Sequence, residues 1–396
     1  MIFKDMKMII TGLKNMKVYS PHFYLVFFLL LNIFNFIDRN LLIAFAPEIK
    51  SDFNLTNVEW GLLTGVYFLF FYSVFGIFMG VLGDKFNRMK IAAAGVFLWS
   101  LMTALTGVAK NFAHLIVARA LIGVGESALT PNSISMLSDV YNQNRRGTAS
   151  AIYYLGIPLG VGLAMLIASY FGPIFGWRIV FISLGLIGVV LAIVTYFLIE
   201  PIRGQLDSSS QNNEKSMSIK EIISLTKSTL YNSKSLTLII VGSIFLHIPL
   251  GAGNFEVLWA VNERGFTASE YNSLFGIFFI IGGSIGAVLG GVLSDKLNHL
   301  FKNGVMSFLT ISYLLLIPLT ISYRFVDPNT FIFYFTLFFI SLNVTFFYGP
   351  VFGSVQALTP VKVRSTMVAI FILGVNIVGM GVGSFFTGYL VDHVFN

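Results

Sequence analysis

Cysteine is absent from this chain of 396 residues, so disulfide frameworks, thiolate metal sites and cysteine nucleophiles are excluded. Charge is scarce as well: only 11% of the residues are Asp, Glu, Lys or Arg, against roughly 25% in a soluble domain. The five histidines are scattered without ligand spacing, which argues against a metal centre. No HExxH, paired aspartates or serine–histidine arrangement marks an enzyme, and nothing calls for a cofactor. What the chain has is apolar surface, with 56% hydrophobic and 15% aromatic residues. Runs of about 20 residues or more can cross a hydrocarbon core of about 30 Å as helices, which satisfy their own backbone there. The fold class that follows is an all-α integral membrane protein.

Eleven spans are expected, near residues 22–46, 61–83, 91–110, 113–137, 148–171, 178–199, 236–260, 271–294, 304–323, 331–356 and 365–391. Residues 1–20 carry four lysines and read as a cytoplasmic tail. The first apolar run is too long for a signal peptide and lacks a small-residue cleavage site, so it is retained as a span. The one long polar stretch, 200–235, reads as a linker with an amphipathic surface helix between a bundle at 21–199 and a second at 236–396. With the amino terminus inside, eighteen of the lysines and arginines fall in cytoplasmic segments and five outside; the remaining two are Arg39 and Arg119. Positive charge is retained on the cytoplasmic side, which sets that orientation. The net charge of +7 therefore belongs to topogenic loops and requires no nucleic-acid partner.

The two halves repeat. "VLGDKFN" at Val81 recurs as "VLSDKLN" at Val292, an offset of 211 that also carries Glu59 onto Glu270 and Gly65 onto Gly276. "RGTASA" from Arg146 recurs as "RSTMVA" from Arg364, an offset of 218. Parallel repeats about a central axis are how one transporter class builds a substrate site near the bilayer midplane. At the second offset the counterpart of the sixth span falls near residue 396, where the sequence ends, so the twelfth helix of two six-helix halves is missing from this chain.

Charges inside the spans stand out against this background. "NFIDRN" places Asp38 and Arg39 in span one, and "ARALIGVGES" places Arg119 and Glu126 in span four. At about 1.5 Å per residue, Asp38 lies roughly 12 Å and Arg119 roughly 9 Å from the outer ends of their spans. Adjacent helical residues point about 100° apart, so Asp38 and Arg39 do not simply neutralise each other. Each charge costs about 2.5 to 3.5 kcal/mol at a span centre. The expected arrangement is Asp38 paired with Arg119 across a hydrated cavity that Arg39 and Glu126 line; the bland alternative is a fixed ion pair that locks two helices. Glu256 and His247 are weaker candidates, and Asn32, Asn35 and Asn376 line the cavity or tie helices together. At the cytoplasmic side Asp84 and Asp295 can pair with Arg88, Arg146 or Arg364 and form a gate. Gly156, Gly160, Gly379 and Gly383 remove side chains where helices approach.

At these residues the chain resembles the major facilitator superfamily. "GVLGDKFNRMK", Gly80 to Lys90, is similar to its loop signature between spans two and three; the copy has His299 where Arg88 stands. "NFIDRN", "GDKFNR", "RALIGVGES", "YYLGIPLGVGL" and "TPVKVRSTMVA" together resemble the Spinster family and its bacterial relatives. The resemblance implies a proton-coupled secondary transporter in a bacterial inner membrane, working as a monomer on a lysophospholipid or similar amphipathic anion. It implies proton-sensitive roles for Asp38 and Glu126, with Arg39 and Arg119 as charge partners or headgroup contacts. An organic-anion or drug carrier of the same fold, and a ligand-binding receptor or scaffold, are the alternatives.

Overall fold

The computed structural model describes residues 19–204, 218–301 and 304–395. The amino-terminal tail, linker residues 205–217 and Lys302 lie outside the described residues. Ten long apolar helical segments are present among the described residues. One of them, Arg145–Phe197, folds back at Gly176, whose φ of 74° and ψ of 158° suit only glycine. It therefore supplies two spans. We label the spans α1 (Pro21–Ala44), α2 (Asn57–Lys85), α3 (Arg88–Gly107), α4 (Phe112–Val140), α5 (145–175) and α6 (177–197) in the first half. The second half has α7 (Lys234–Arg264), α8 (Ala268–Leu297), α9 (Val305–Ser322), α10 (Phe331–Ala357) and α11 (Thr366–His393). The linker contributes one further helix, Ile219–Asn232. No strand occurs among the described residues.

Local chemistry explains why the helices begin where they do. Ser20 caps α1, with Pro21 at its first position. Thr56 and Glu59 form a capping box at the start of α2, and Thr267 and Glu270 form another at the start of α8. The two boxes stand 211 residues apart, so the Glu59–Glu270 correspondence marks equivalent helix starts. Glycines permit close contact inside each half: Gly156 and Gly160 lie on Asn32 and Phe36 of α1, and Gly379 and Gly383 lie on His247 and Ile248 of α7. Other small residues join the halves. Gly162 of α5 faces Gly276 of α8, where an added Cβ would stand 2.5 and 2.8 Å from the opposing carbonyl oxygens.

Hydrogen bonds between the halves gather towards one end. Asp392, at the end of α11, accepts from Asn57 N (3.1 Å), Asn57 Nδ2 (2.7 Å) and Val58 N (2.8 Å) at the start of α2. A carboxylate there meets the free N–H groups and positive pole of a helix. Ser169 Oγ and Ser269 Oγ each donate to the other's carbonyl, at 2.8 and 2.7 Å. Asn272 donates to Ala44 O (2.9 Å) and Trp60 to Asn254 O (3.0 Å). Asn376 donates to Ser73 Oγ (3.2 Å) near mid-span. We call this the closed end, and the opposite one, which carries Arg88 and Arg146, the basic end.

Candidate functional site

The intramembrane charges of α1 and α4 converge in the first half, but not in the expected pairing. Arg39 holds Glu126, with Nη2 at 2.8 Å and Nε at 3.1 Å from the same carboxylate oxygen. The Glu126 side chain is fully buried, whereas Arg39 is 19% exposed. The Arg39 guanidinium sits among the rings of Phe36, Phe68 and Tyr72, 4.6 to 4.8 Å from their centroids. Asp38 is buried and turns to α3, where Thr103 donates to it at 2.5 Å; its other oxygen has no partner. Arg119 donates to the carbonyl oxygen of Arg39 at 3.0 Å and stacks on the far partner they share, Phe68, at 4.4 Å.

The expected Asp38–Arg119 ion pair therefore does not form. The physical reason lies in the helix geometry. Asp38 and Arg39 diverge by about 100°, and it is Arg39 that faces α4 at the level of Glu126. Asp38 meets α3, whose Thr103 carried no charge to draw attention in the sequence. Two acids and two bases still share one neutral cluster on α1 and α4. Asn32 donates to Tyr153 O at 2.8 Å and so ties α1 to α5.

At the basic end the expected gate is also rearranged. Arg88 is buried and pairs with Asp139 of α4 (2.6 Å) and Glu200 after α6 (2.6 Å), and it donates to Ser135 (2.8 Å). Arg203 pairs with Glu200 (3.2 Å) and donates to the carbonyls of Asp84 (2.6 Å) and Phe86. Asp84 thus takes part through its backbone, and its carboxylate makes no ion pair among the described residues. Among the described residues Asp295 makes none either, and neither does Arg364, whose Nε is buried without a hydrogen bond there. Arg146 donates to Tyr141 O at 3.1 Å. The network is a clamp within the first half, holding the α2–α3 turn to the ends of α4 and α6. Sequence reasoning missed Asp139, Glu200 and Arg203 because they sit in the last turn of α4 and just after α6, where charge is ordinary.

Among the described residues the second half has one buried carboxylate near a span, Glu256, and it is fully engaged. Tyr271 (2.9 Å) and Tyr323 (2.5 Å) donate to one oxygen, and Arg324 (2.7 Å) to the other. His247 lies at mid-span of α7, with Nδ1 2.7 Å from Ser243 O and Nε2 3.5 Å from the hydroxyl of Tyr348 on α10. No group of His, Asp and Glu side chains able to hold a metal occurs among the described residues.

Two pseudo-repeated helical bundles, the first with a charged midplane cluster, define a fold of the major facilitator class, and the model of that superfamily matches residues 28–384. The chain belongs to the major facilitator superfamily. Spinster proteins are among its relatives: it is 27% identical to the protein spinster of Drosophila melanogaster over 67% of this chain and 44% of that one. It is 30% identical to a sphingosine-1-phosphate transporter of Danio rerio over 66% of this chain and 54% of the relative. The chain thus spans about half the length of these curated relatives. Among solved structures, a bacterial homologue of the human lysosomal transporter Spinster, in an inward-facing and unoccupied conformation, superposes with a TM-score of 0.81 at 25% identity. That match covers 94% of this chain and 82% of the relative.

Proposed function

We propose that this chain is a proton-coupled secondary transporter that moves an amphipathic lipid anion, of the lysophospholipid kind, by alternating access. The observation that carries the reading is the Arg39–Glu126 pair: a part-exposed cation, ringed by aromatic faces, held by a fully buried carboxylate. Protonating Glu126 removes the charge that engages Arg39 and leaves the guanidinium for an anionic headgroup. An incoming headgroup, conversely, draws Arg39 away and favours a proton on Glu126, because an unpaired buried carboxylate is costly. Asp38 is the second proton site, since its unpartnered oxygen leaves room for a hydrogen on the acid. A site that alternates between proton and anion in this way shifts the balance of inward- and outward-open forms when the two bind them unequally.

The excess of lysine and arginine at the basic end supports placing that end in the cytoplasm, with the closed end outside and the molecule facing inward. The same rule supports a cytoplasmic amino terminus in a bacterial inner membrane, and the chain needs no second copy to complete this site. A named relative that carries sphingosine-1-phosphate supports an amphipathic anion as cargo. The test is uptake of a lysophospholipid into proteoliposomes with and without a pH gradient. Gradient-driven uptake is expected in the wild type and is lost in Glu126→Gln and Asp38→Asn; wild-type pH-driven uptake in both variants sinks the assignment. Competition by a sugar acid in place of the lipid favours an organic-anion carrier instead.

A further inference from the structure

We infer that the linker helix, Ile219–Asn232, docks on the membrane surface at the basic end and takes anionic lipid headgroups there through Lys220, Lys227 and Tyr231. The inference is independent of the transport reading and assigns the chain a lipid contact outside the spans.

The helix is held by the second half along one face. Thr226 is buried, Leu230 packs into the core of that half, and Thr237 Oγ1 of α7 donates to Leu230 O at 2.7 Å. A capping box of Ser218 and Glu221 fixes its start, and only Ser233 separates its end from Lys234, the first residue of α7. A span begins at the hydrocarbon boundary, so a helix that ends one residue before it ends at headgroup level. Its other neighbour is the turn Val361–Val363, which leads into α11. Both contacts are with chain at that boundary, and the helix lies along it.

The exposed side of the helix is of two kinds. At about 100° per residue, one arc carries in angular order Ile223, Lys227, Lys220 and Tyr231, and the next carries Ser224, Ser228, Glu221 and Asn232; all eight are exposed. Ile223 is 61% and Tyr231 87% exposed. Water on every exposed side would not sort the side chains in this way. The first arc holds both large apolar groups, two bases and no acid. That is the composition of a face at an anionic interface, where lysine stems and a tyrosine ring lie against acyl chains and their polar ends meet phosphate. The second arc holds only short polar groups and Glu221, whose carboxylate accepts from Ser218 N at 2.7 Å. Lys234, also exposed, continues the basic line at the spacing that separates Lys220 from Lys227. A headgroup without net charge gives these lysines little, so the occupant is an anionic lipid.

The chain has no cysteine, so a bimane label on Ile223→Cys and, in a separate protein, on Ser228→Cys reads each arc by its quenching with acrylamide, which is uncharged. The full chain is placed in nanodiscs of phosphatidylcholine alone or of an equal mixture with phosphatidylglycerol. With phosphatidylglycerol, quenching at the Ile223 position is expected to fall at least about twofold as the label enters the interface, and quenching at the Ser228 position to stay unchanged. Replacing Lys220→Gln and Lys227→Gln together, or raising the salt to about 0.5 M, is expected to restore the quenching. Equal quenching at the Ile223 position in the two lipids overturns the inference, as does equal protection at the Ser228 position or protection that survives loss of both lysines. Protection by soluble polyglutamate in phosphatidylcholine discs, with none from phosphatidylglycerol, overturns it in favour of an acidic protein partner.

Discussion

At the offset of 211 the places of Asp38 and Arg39 are taken in the second half by Pro249 and Leu250, and at 218 those of Arg119 and Glu126 by Leu337 and Val344. The second half nonetheless builds equivalent spans. Four intramembrane charges are therefore no requirement of the fold, and each costs about 2.5 to 3.5 kcal/mol at a span centre. The second half's own buried carboxylate teaches the contrast. Glu256 has donors on both oxygens, whereas Asp38, Glu126 and Arg119 each leave one buried polar atom without a partner. Glu256 braces helices with both oxygens bonded, whereas the two carboxylates of the cluster each keep one oxygen free to change partners.

The strongest way to break this comparison is to remove the first-half pair. Arg39→Ala strands the buried Glu126 carboxylate and is expected to abolish transport and to cost about 3 to 5 kcal/mol in unfolding stability. Replacing both members together, Arg39→Met with Glu126→Leu, makes the first half resemble the second; stability is expected to recover while transport stays absent. Recovery of transport in the double variant, measured in proteoliposomes, would show that the pair is structural.

The next effect concerns the junction between the halves. The chain has no cysteine of its own, and Ser169 and Ser269 place their Oγ atoms 3.2 Å apart. Ser169→Cys with Ser269→Cys is expected to form a disulfide that holds the closed end shut and stops turnover, with reductant restoring it. Undiminished transport by the oxidised pair would mean that these helices do not part. Asp392→Asn, which keeps the side chain's shape but removes the charge at the start of α2, is expected to shift the molecule towards opening at this end by about tenfold or less, the scale of one charge at a helix terminus. Labelling of a single cysteine at Thr64 or Ser384 would report it, since those side chains meet 3.2 Å apart behind the latch.

Much of this was legible beforehand. Composition and run length are sufficient for the spans, because lipid admits few structures, and the repeat is visible in VLGDKFN and VLSDKLN and in Glu59 and Glu270, which the structure places in equivalent capping boxes. The four residues of the charged cluster could be named because charge in a span is conspicuous. Their pairing could not, since helix rotation decides whether Asp38 or Arg39 faces α4, and a one-dimensional depth count does not contain rotation. The clamp was misread for the opposite reason: the partners of Arg88 are Asp139 and Glu200, distant in sequence and set at span ends among charges of equal weight. His247 stands out in the sequence only as a weaker candidate, because the Ser243 carbonyl that fixes one of its ring nitrogens is a feature of the folded helix.

The clamp supplies the smallest contrast between the halves. Arg88 is 4% exposed and bonds two carboxylates and Ser135, whereas its counterpart His299 forms none of these ion pairs and sits at the end of α8. Arg88→Ala leaves Asp139 and Glu200 without their common cation and is expected to cost about 3 kcal/mol, the range for breaking one side of a buried pair. His299→Ala is expected to stay within about 0.5 kcal/mol, as exposed substitutions do. Thermal unfolding in one detergent compares them directly. Similar losses in both would mean that the second half carries a clamp of its own; a large loss only at Arg88 assigns the rigid basic end to the first half and leaves the second half as the more readily deformed body.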